Sequence, residues 1–405
     1  MTTAPRPHTQ ADLRRRNLAA VLHAVAGGGP ASRAAVAGRI GLTRAAVSTL
    51  VDELLGAGLL VEQGPGRSGA VGRPGTVLAL SDSGPCGLGA EIGVDHLAVC
   101  AVDLRGRVRA RVAVDSANRD SEPGPVLARL AELVRLVTGR VGAAGLRPAG
   151  LCVAVPGLVA RDAPTVVRSP NLGWGLTRLD SLAGRLGTAD GTLPVGADNE
   201  ANLGALAELW LGGHEPAPLD VLHVSAEIGI GAAVLVGGRL LRGERGFAGE
   251  LGHVPVRPRG RACGCGGRGC LEQYAGEEAV LRAAGLDPAR VAAERPGPGA
   301  RVGLLAERAA AGDRTVLRVL RSAGADLGVA LTGAVSLLDP QAVVLGGALA
   351  RLAPWLLPAA EQELDRRMTG RPGVLVSRLG PDGPLLGAAH SVIRAVLDDP
   401  PTGRR

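Results

Sequence analysis

The chain has 405 residues and a formal net charge of +7; 46% of its residues are hydrophobic but only 1% aromatic, and all 45 basic residues are arginine. A chain this long is expected to hold two or three domains around a sizeable core of Leu, Val and Ala. It contains no run of 18 or more apolar residues, and Met1 to Gln10 lacks the apolar stretch of a secretory leader. A cytoplasmic protein is therefore expected, with no membrane partner.

The charge is unevenly placed: residues 1–80 carry nine arginines against four acidic residues, Asp12, Asp52, Glu53 and Glu62. After residues 1–11, expected to be disordered, Asp12 to Ala26 places Leu13, Leu18, Val21, Leu22 and Val25 at helical spacing, closed by Gly27-Gly-Gly-Pro30. Ser32 reads as the N-cap of a short helix reaching Ile40. Gly41-Leu42 turns the chain, and Thr43 caps a third helix with Ala46, Val47, Leu50, Val51, Leu54 and Leu55 inward. Strands Leu59 to Glu62 and Thr76 to Leu80 flank a Gly-rich loop. This order predicts a winged helix-turn-helix over residues 12–80, in which the start of the third helix enters the major groove of double-stranded DNA. Thr43, Arg44 and Ser48 are the candidate base and phosphate contacts, with Arg67 and Arg73 at the wing tip. A protein-interaction module with solvated arginines is the alternative. RNA is disfavoured, because the segment has no aromatic residue on which bases could stack.

Residues 81–85 are expected to be a linker, and the pattern then changes. Gly87 to Gly93, His96 to Leu104 and Arg107 to Val114 read as strands, Pro125 to Val141 as a helix, and Leu151 to Val155 as a buried strand ending at Pro156-Gly157. Ser169 to Trp174 reads as an exposed loop. The scheme then repeats: strands Val221 to Ser225, Gly229 to Val236 and Arg239 to Leu241, long helical stretches, and the buried strand Ala342 to Leu345 before Gly346-Gly347. Two lobes over residues 86–397, each a sheet with helices and with a cleft between them, account for this α/β pattern. Residues 398–405 are expected to be a disordered tail. Cys86, Cys100 and Cys152 read as core thiols, and His8, His23, His96, His214 and His223 are assigned no role.

The most specific stretch is Ala248-Gly-Glu-Leu-Gly-His253 followed by Cys263-Gly-Cys265-Gly-Gly-Arg-Gly-Cys270-Leu-Glu272. His253, Cys263, Cys265 and Cys270 form the closed Cys3His set of a structural zinc site, with intervening glycines free to make tight turns. Free thiols, or a disulfide, are the alternative. Glu250 and Glu272 flank the loop.

Together these motifs resemble the ROK family (repressor, open reading frame, kinase) in its xylose-repressor form. The likeness rests on the helix-turn-helix with Gly72-Arg-Pro-Gly75, Pro156-Gly157, Pro170-Asn-Leu-Gly-Trp174, Asp198-Asn-Glu-Ala-Asn202, the zinc loop and Val344-Leu-Gly-Gly347. It implies an actin-like two-lobed ATPase-type fold with a monosaccharide effector in the cleft, contacted by Asn199, Glu200, Glu250, His253 and Glu272, with Gly157 and Asn171 at the wall. It also implies a homodimer or homotetramer on a palindromic operator. Kinases of the family carry Asp-x-Gly-Gly-Thr-Lys, Gly-Thr-Gly and a catalytic Asp, where this chain has Glu91-Ile-Gly-Val-Asp-His96, Glu227-Ile-Gly229 and Glu200. Extra carboxylates oppose phosphate binding, and a base one methylene longer is misplaced. The expectation is a non-enzymatic, sugar-responsive repressor with Glu200 as a vestigial base; an ATP-dependent sugar kinase is the alternative.

Overall fold

The computed structural model describes residues 9–65, 76–186, 193–297 and 299–401. The first domain opens with α1 (Gln10–Gly28), β1 (Ala31–Ser32), α2 (Arg33–Ile40) and α3 (Arg44–Gly56), followed by β2 (Leu60–Pro65) and β3 (Thr76–Leu80). The caps act as the side chains dictate: Thr9, Ser32 and Thr43 each accept a backbone N–H three residues on. Gly41, in the left-handed region, ends α2, and α3 leaves at 113° to it across a three-residue turn, the geometry of a helix-turn-helix. The wing sheet has the order β1-β3-β2, so a strand not foreseen in Ala31–Ser32 pairs with β3.

The ordered start of this domain lies earlier than expected, because Thr9 and Asp12 form a capping box that fixes residues 9–11. Residues 1–8 lie outside the described part. The linker is also shorter than expected, since Gly84 and Pro85 already pair with Leu146 and Arg147.

Both remaining lobes use one strand order. The first has β4 (Gly84–Ile92), β5 (His96–Asp103), β6 (Val108–Asp115), α4 (Pro123–Ala143), β7 (Leu146–Val155) and, after a small sheet of β8 (Leu158–Val159), β9 (Thr165–Arg168) and β10 (Thr177–Arg178) and the short α5 (Ser181–Leu186), β11 (Val195–Asn199). Its order is β11-β7-β4-β5-β6. Helix α6 (Glu200–Leu211) leads to the second lobe, with β12 (Val221–Ala226), β13 (Ile230–Val236), β14 (Arg239–Leu240), α7 (Glu272–Ala275), α8 (Glu277–Ala283), α9 (Pro288–Glu294), α10 (Ala300–Ala310), α11 (Arg314–Leu338), β15 (Ala342–Gly346), α12 (Gly347–Arg367) and β16 (Gly373–Val376). Its order, β14-β13-β12-β15-β16, repeats the first. In each sheet the first three strands are antiparallel and the last two join in parallel, as buried crossovers require.

The last helix, α13 (Gly383–Asp398), returns from the second lobe to pack on α6 and on β4, β5 and β7. Its end, through Ile393 and Leu397, joins the apolar core of the winged domain. Asp398 closes a 2.7 Å pair with His23 of α1, so the expected disordered tail is ordered at its start; residues 402–405 lie outside the described part. The loop from Ser169 to Trp174, expected to be exposed, is so only at Pro170 and Gly173. Ser169, Leu172 and Trp174 are buried, and the Trp174 indole N–H donates to the Ser121 carbonyl at 2.7 Å. Cys86, Cys100 and Cys152 are core thiols, as their apolar neighbours suggested.

Candidate functional site

A cavity of about 320 Å³ opens between the lobes, and it collects all the residues expected to contact sugar: Gly157, Asn171, Asn199 and Glu200 on one side, Glu250, His253 and Glu272 on the other. Gly157 makes the sharp exit from β7 at φ 112°, and a Cβ there would lie 2.5 Å from the Arg168 carbonyl, so no other residue fits. Asn199 ends β11 and caps α6, its Oδ1 accepting from Ala201 and Asn202, while its Nδ2 donates to the Gly157 carbonyl at 2.8 Å. One N–H of that amide remains for a ligand. Asp198, assigned no role of its own from sequence, organises this corner: it accepts from Asn199 N–H and Asn202 Nδ2 at 2.8 Å and pairs with Arg242 at 2.6 Å.

Across the cleft, Glu250 precedes the single 3-10 turn Leu251–His253, which sets His253 between two neighbours. Its Nε2 lies 3.7 Å from Glu250 and its Nδ1 lies 3.7 Å from the Cys263 sulfur. The donor atoms of His253, Cys263, Cys265 and Cys270 all lie within 4.8 Å of one another, and the Cys265 and Cys270 sulfurs are 3.7 Å apart. A tetrahedral zinc with bonds of about 2.3 Å to sulfur requires sulfur–sulfur edges of about 3.8 Å, whereas a disulfide requires about 2.05 Å. The cluster therefore fits a metal and not a bridge. Gly267 N–H donates to the Cys265 sulfur at 3.4 Å, as is usual for a thiolate ligand. Of the loop glycines, Gly266 and Gly269 take positive φ, while Gly264 and Gly267 do not. Cys265 and His253 both line the cavity between the lobes, so the cysteine loop is also one of its walls.

The inner end of the cleft differs from the sequence expectation in detail. Asp95 does not stand free toward an incoming phosphate: its Oδ2 pairs at 3.0 Å with Arg301 of the opposite lobe, and Arg301 also grips buried Glu277. His96, given no role from sequence, is 3% exposed and sits between Asp95 at 3.0 Å and Glu91 at 3.6 Å. Burial opposes its charge, but the hydrogen bond to Asp95 and the nearby carboxylate of Glu91 outweigh that and push its pKa up to about 11. Glu200 is pushed up to about 7 by burial and by Glu91, against His96. Glu227 is raised well above the carboxylate range by burial, Glu91 and Glu200. The position of His96 in the first phosphate motif was the available signal for its role; Arg301 had none, being brought there by α10 alone.

In the first domain, Thr43 and Arg44 are exposed at the start of α3 and Ser48 is half-buried. Ala46, expected inward, is exposed beside them because the helix phase turns Val47, Leu50, Val51 and Leu54 to the core. Three of the nine arginines are used internally: Arg14 binds Glu53, Arg33 binds Asp52 and Glu62, and Arg39 caps the carbonyls at the end of α1. Arg44 has no carboxylate partner among the described residues. Arg67 and Arg73 lie outside the described residues.

Two sheets of identical order around a ligand cleft define a protein of the actin-like sugar-kinase fold, here carrying a helix-turn-helix module. The chain belongs to the ROK family, whose sequence profile matches residues 87–395. It is 28% identical to the xylose repressor of Bacillus spizizenii over 91% of this chain and 92% of that one. It is 30% identical to the glucokinase of Streptomyces coelicolor over 75% of this chain and 96% of the enzyme. Among solved structures, a ROK family transcriptional regulator homologous to the E. coli MLC protein superposes with a TM-score of 0.77 at 26% identity, covering 96% of this chain and 97% of that one. A ROK glucokinase from Streptomyces griseus in complex with glucose and AMPPNP gives 0.62 at 27% identity, covering 76% and 98%. Among the described residues no single helix is long and apolar enough to cross a membrane.

Proposed function

We propose that this protein is a sugar-responsive transcriptional repressor that binds operator DNA through α3 and the wing and binds a monosaccharide between its lobes. The observation that carries this reading is the continuity of the two parts: α13 borders the inner cleft at Gly383 and Pro384 and ends inside the core of the winged domain. The regulator relatives match 91% and 96% of this chain, whereas the glucokinases match 75% and 76% of it, which leaves room for a part as long as the winged domain. Sugar hydroxyls would meet Asn171 and Asn199 on one lobe and Glu250, His253 and Glu272 on the other. The ligand therefore favours one lobe arrangement, and its effect on DNA binding equals its preference for that arrangement. A homodimer or homotetramer would set two copies of α3 on a palindromic site. Zinc is the metal that the Cys3His set suits, and its role is to hold the wall carrying His253 and Glu272.

No phosphoryl transfer is expected. That reaction depends on neutralising phosphate charge, and the place where the charge would gather is lined by Glu91, Glu200 and Glu227, which supply no positive charge in either protonation state, with the cations His96 and Arg301 already paired. The test is fluorescence anisotropy of the protein on DNA from its own promoter region, titrated with D-xylose first and then with other monosaccharides. A shift in affinity with one of them is expected, and binding indifferent to every sugar at saturation overturns the switch. A coupled ADP-release assay on the same panel decides the kinase alternative, which steady turnover would establish.

A further inference from the structure

A second cavity, of about 690 Å³, lies at the junction of the winged domain with the first lobe and is separate from the sugar pocket. Its volume is that of a small-molecule site. The winged domain contributes Ala26, Pro30 and Gln63; the lobe contributes the β5–β6 turn with Arg105 and Arg107, the end of α6 with Trp210, and His390 and Arg394 of α13. Among the described residues no carboxylate lines it. Arg105 is committed to the Leu80 carbonyl and Asp82. Arg107 and Arg394 have no carboxylate partner among the described residues, and Arg394 lies over the Trp210 ring at 5.7 Å.

His390 is the second, independent observation. It is 7% exposed, its ring stands 6.3 Å from that of Trp210, and its Nε2 has no hydrogen-bond partner. Buried polar atoms are seldom left unpaired. Burial and Arg394 pull its pKa down to about 4, so at neutral pH it offers one proton and one lone pair. The acidic group facing it, Asp103, is itself fully buried and held by Arg109 at 3.0 Å.

We propose that this cavity is an effector site for a small organic anion with a flat apolar body, an aromatic carboxylate. The carboxylate meets the guanidinium groups of Arg107 and Arg394, the ring lies against Trp210 and the neighbouring leucines, and His390 completes its hydrogen bonding through Nε2. Because the walls come from both domains, the ligand stabilises the arrangement in which α1 and the wing rest on α13. It thereby gives the DNA-binding domain a second input beside sugar.

The test uses 2-naphthoate as probe on the full-length protein, with 2-naphthylmethylamine and 2-naphthalenemethanol as the cationic and neutral counterparts, by isothermal titration calorimetry. The anion is expected to bind at least tenfold more tightly than either counterpart. The double variant Arg107→Glu/Arg394→Glu should lose at least tenfold of that affinity while keeping its melting temperature. Equal binding of the three probes, or unchanged affinity in the folded double variant, overturns the proposal. Should that variant fail to fold, the imidazole resonances of ¹⁵N-histidine wild type decide: a His390 signal, assigned from its loss in His390→Gln, must move on adding 2-naphthoate, and a stationary signal refutes the site.

Discussion

Replacing Arg301 by methionine tests whether the ion network at the inner cleft holds the lobes as described. Arg301 is 9% exposed and bridges Asp95, at 3.0 Å, to Glu277, which is 6% exposed. Methionine keeps the apolar stem but leaves Glu277 buried without a cation. Breaking a buried pair from one side costs about 3–5 kcal/mol, whereas removing both charges costs far less. Asp95 keeps His96 in either case. Arg301→Met should therefore be destabilised by about 3–5 kcal/mol, and Arg301→Met/Glu277→Gln should recover at least half of that, a coupling of about 2 kcal/mol. The deficit should also depend on pH. Burial already raises the Glu277 pKa, and loss of Arg301 raises it further. A carboxyl raised in the folded state holds its proton where the unfolded chain has released it, so the single variant should be penalised less at pH 5 than at pH 8. Urea unfolding monitored by fluorescence measures all three proteins, urea being chosen because it does not screen charge. A single variant within about 1 kcal/mol of wild type, or a double variant no more stable than the single, would refute the reasoning.

Three further outcomes are expected. Arg44→Ala should weaken operator binding and lower the slope of log K against log salt by about 1, leaving the sugar-induced thermal shift intact; an unchanged slope removes Arg44 from the DNA contact. Cys265→Ser, or treatment with a chelator, should abolish the sugar response at concentrations of protein where operator binding persists, as anisotropy with and without sugar will show; equal loss of both would indicate general unfolding. Stability should fall as pH rises from about 4.5 to about 7 through Glu200, and from about 6.5 to about 11 through His96, since in both windows the folded state holds a proton that the unfolded chain has lost. Melting temperatures across pH should show the first slope become shallower in Glu200→Gln, the remainder belonging to Glu227 and Glu277, and an unaltered slope would mean that Glu200 does not contribute to it.

Local chemistry is what the sequence carried by itself. The caps at Ser32 and Thr43, the apolar phase of α1 and α3, the alternation of β6 and the apolar runs in β7, β12 and β15 each depend on neighbours a few residues away. They were legible for that reason. The metal loop was legible too, because His253 and the three cysteines lie within one short stretch whose ligand types admit few chemistries. Short or polar strands were not: Val195–Asn199 and Gly373–Val376 pair only because longer strands wait beside them. Ala46 was misplaced because helical spacing alone does not set which way the helix is rolled on its core.

The tertiary structure decided everything that depends on groups far apart in the chain. It placed Asp95 against Arg301, made His96 the cation of a carboxylate cluster, and buried Trp174 over Ser121. It also carried α13 back from the second lobe to the winged domain, tying Asp398 to His23 and enclosing the cavity around His390. Such contacts leave no periodic trace in a sequence, because each is a single meeting of two side chains whose separation along the chain says nothing of their distance in space.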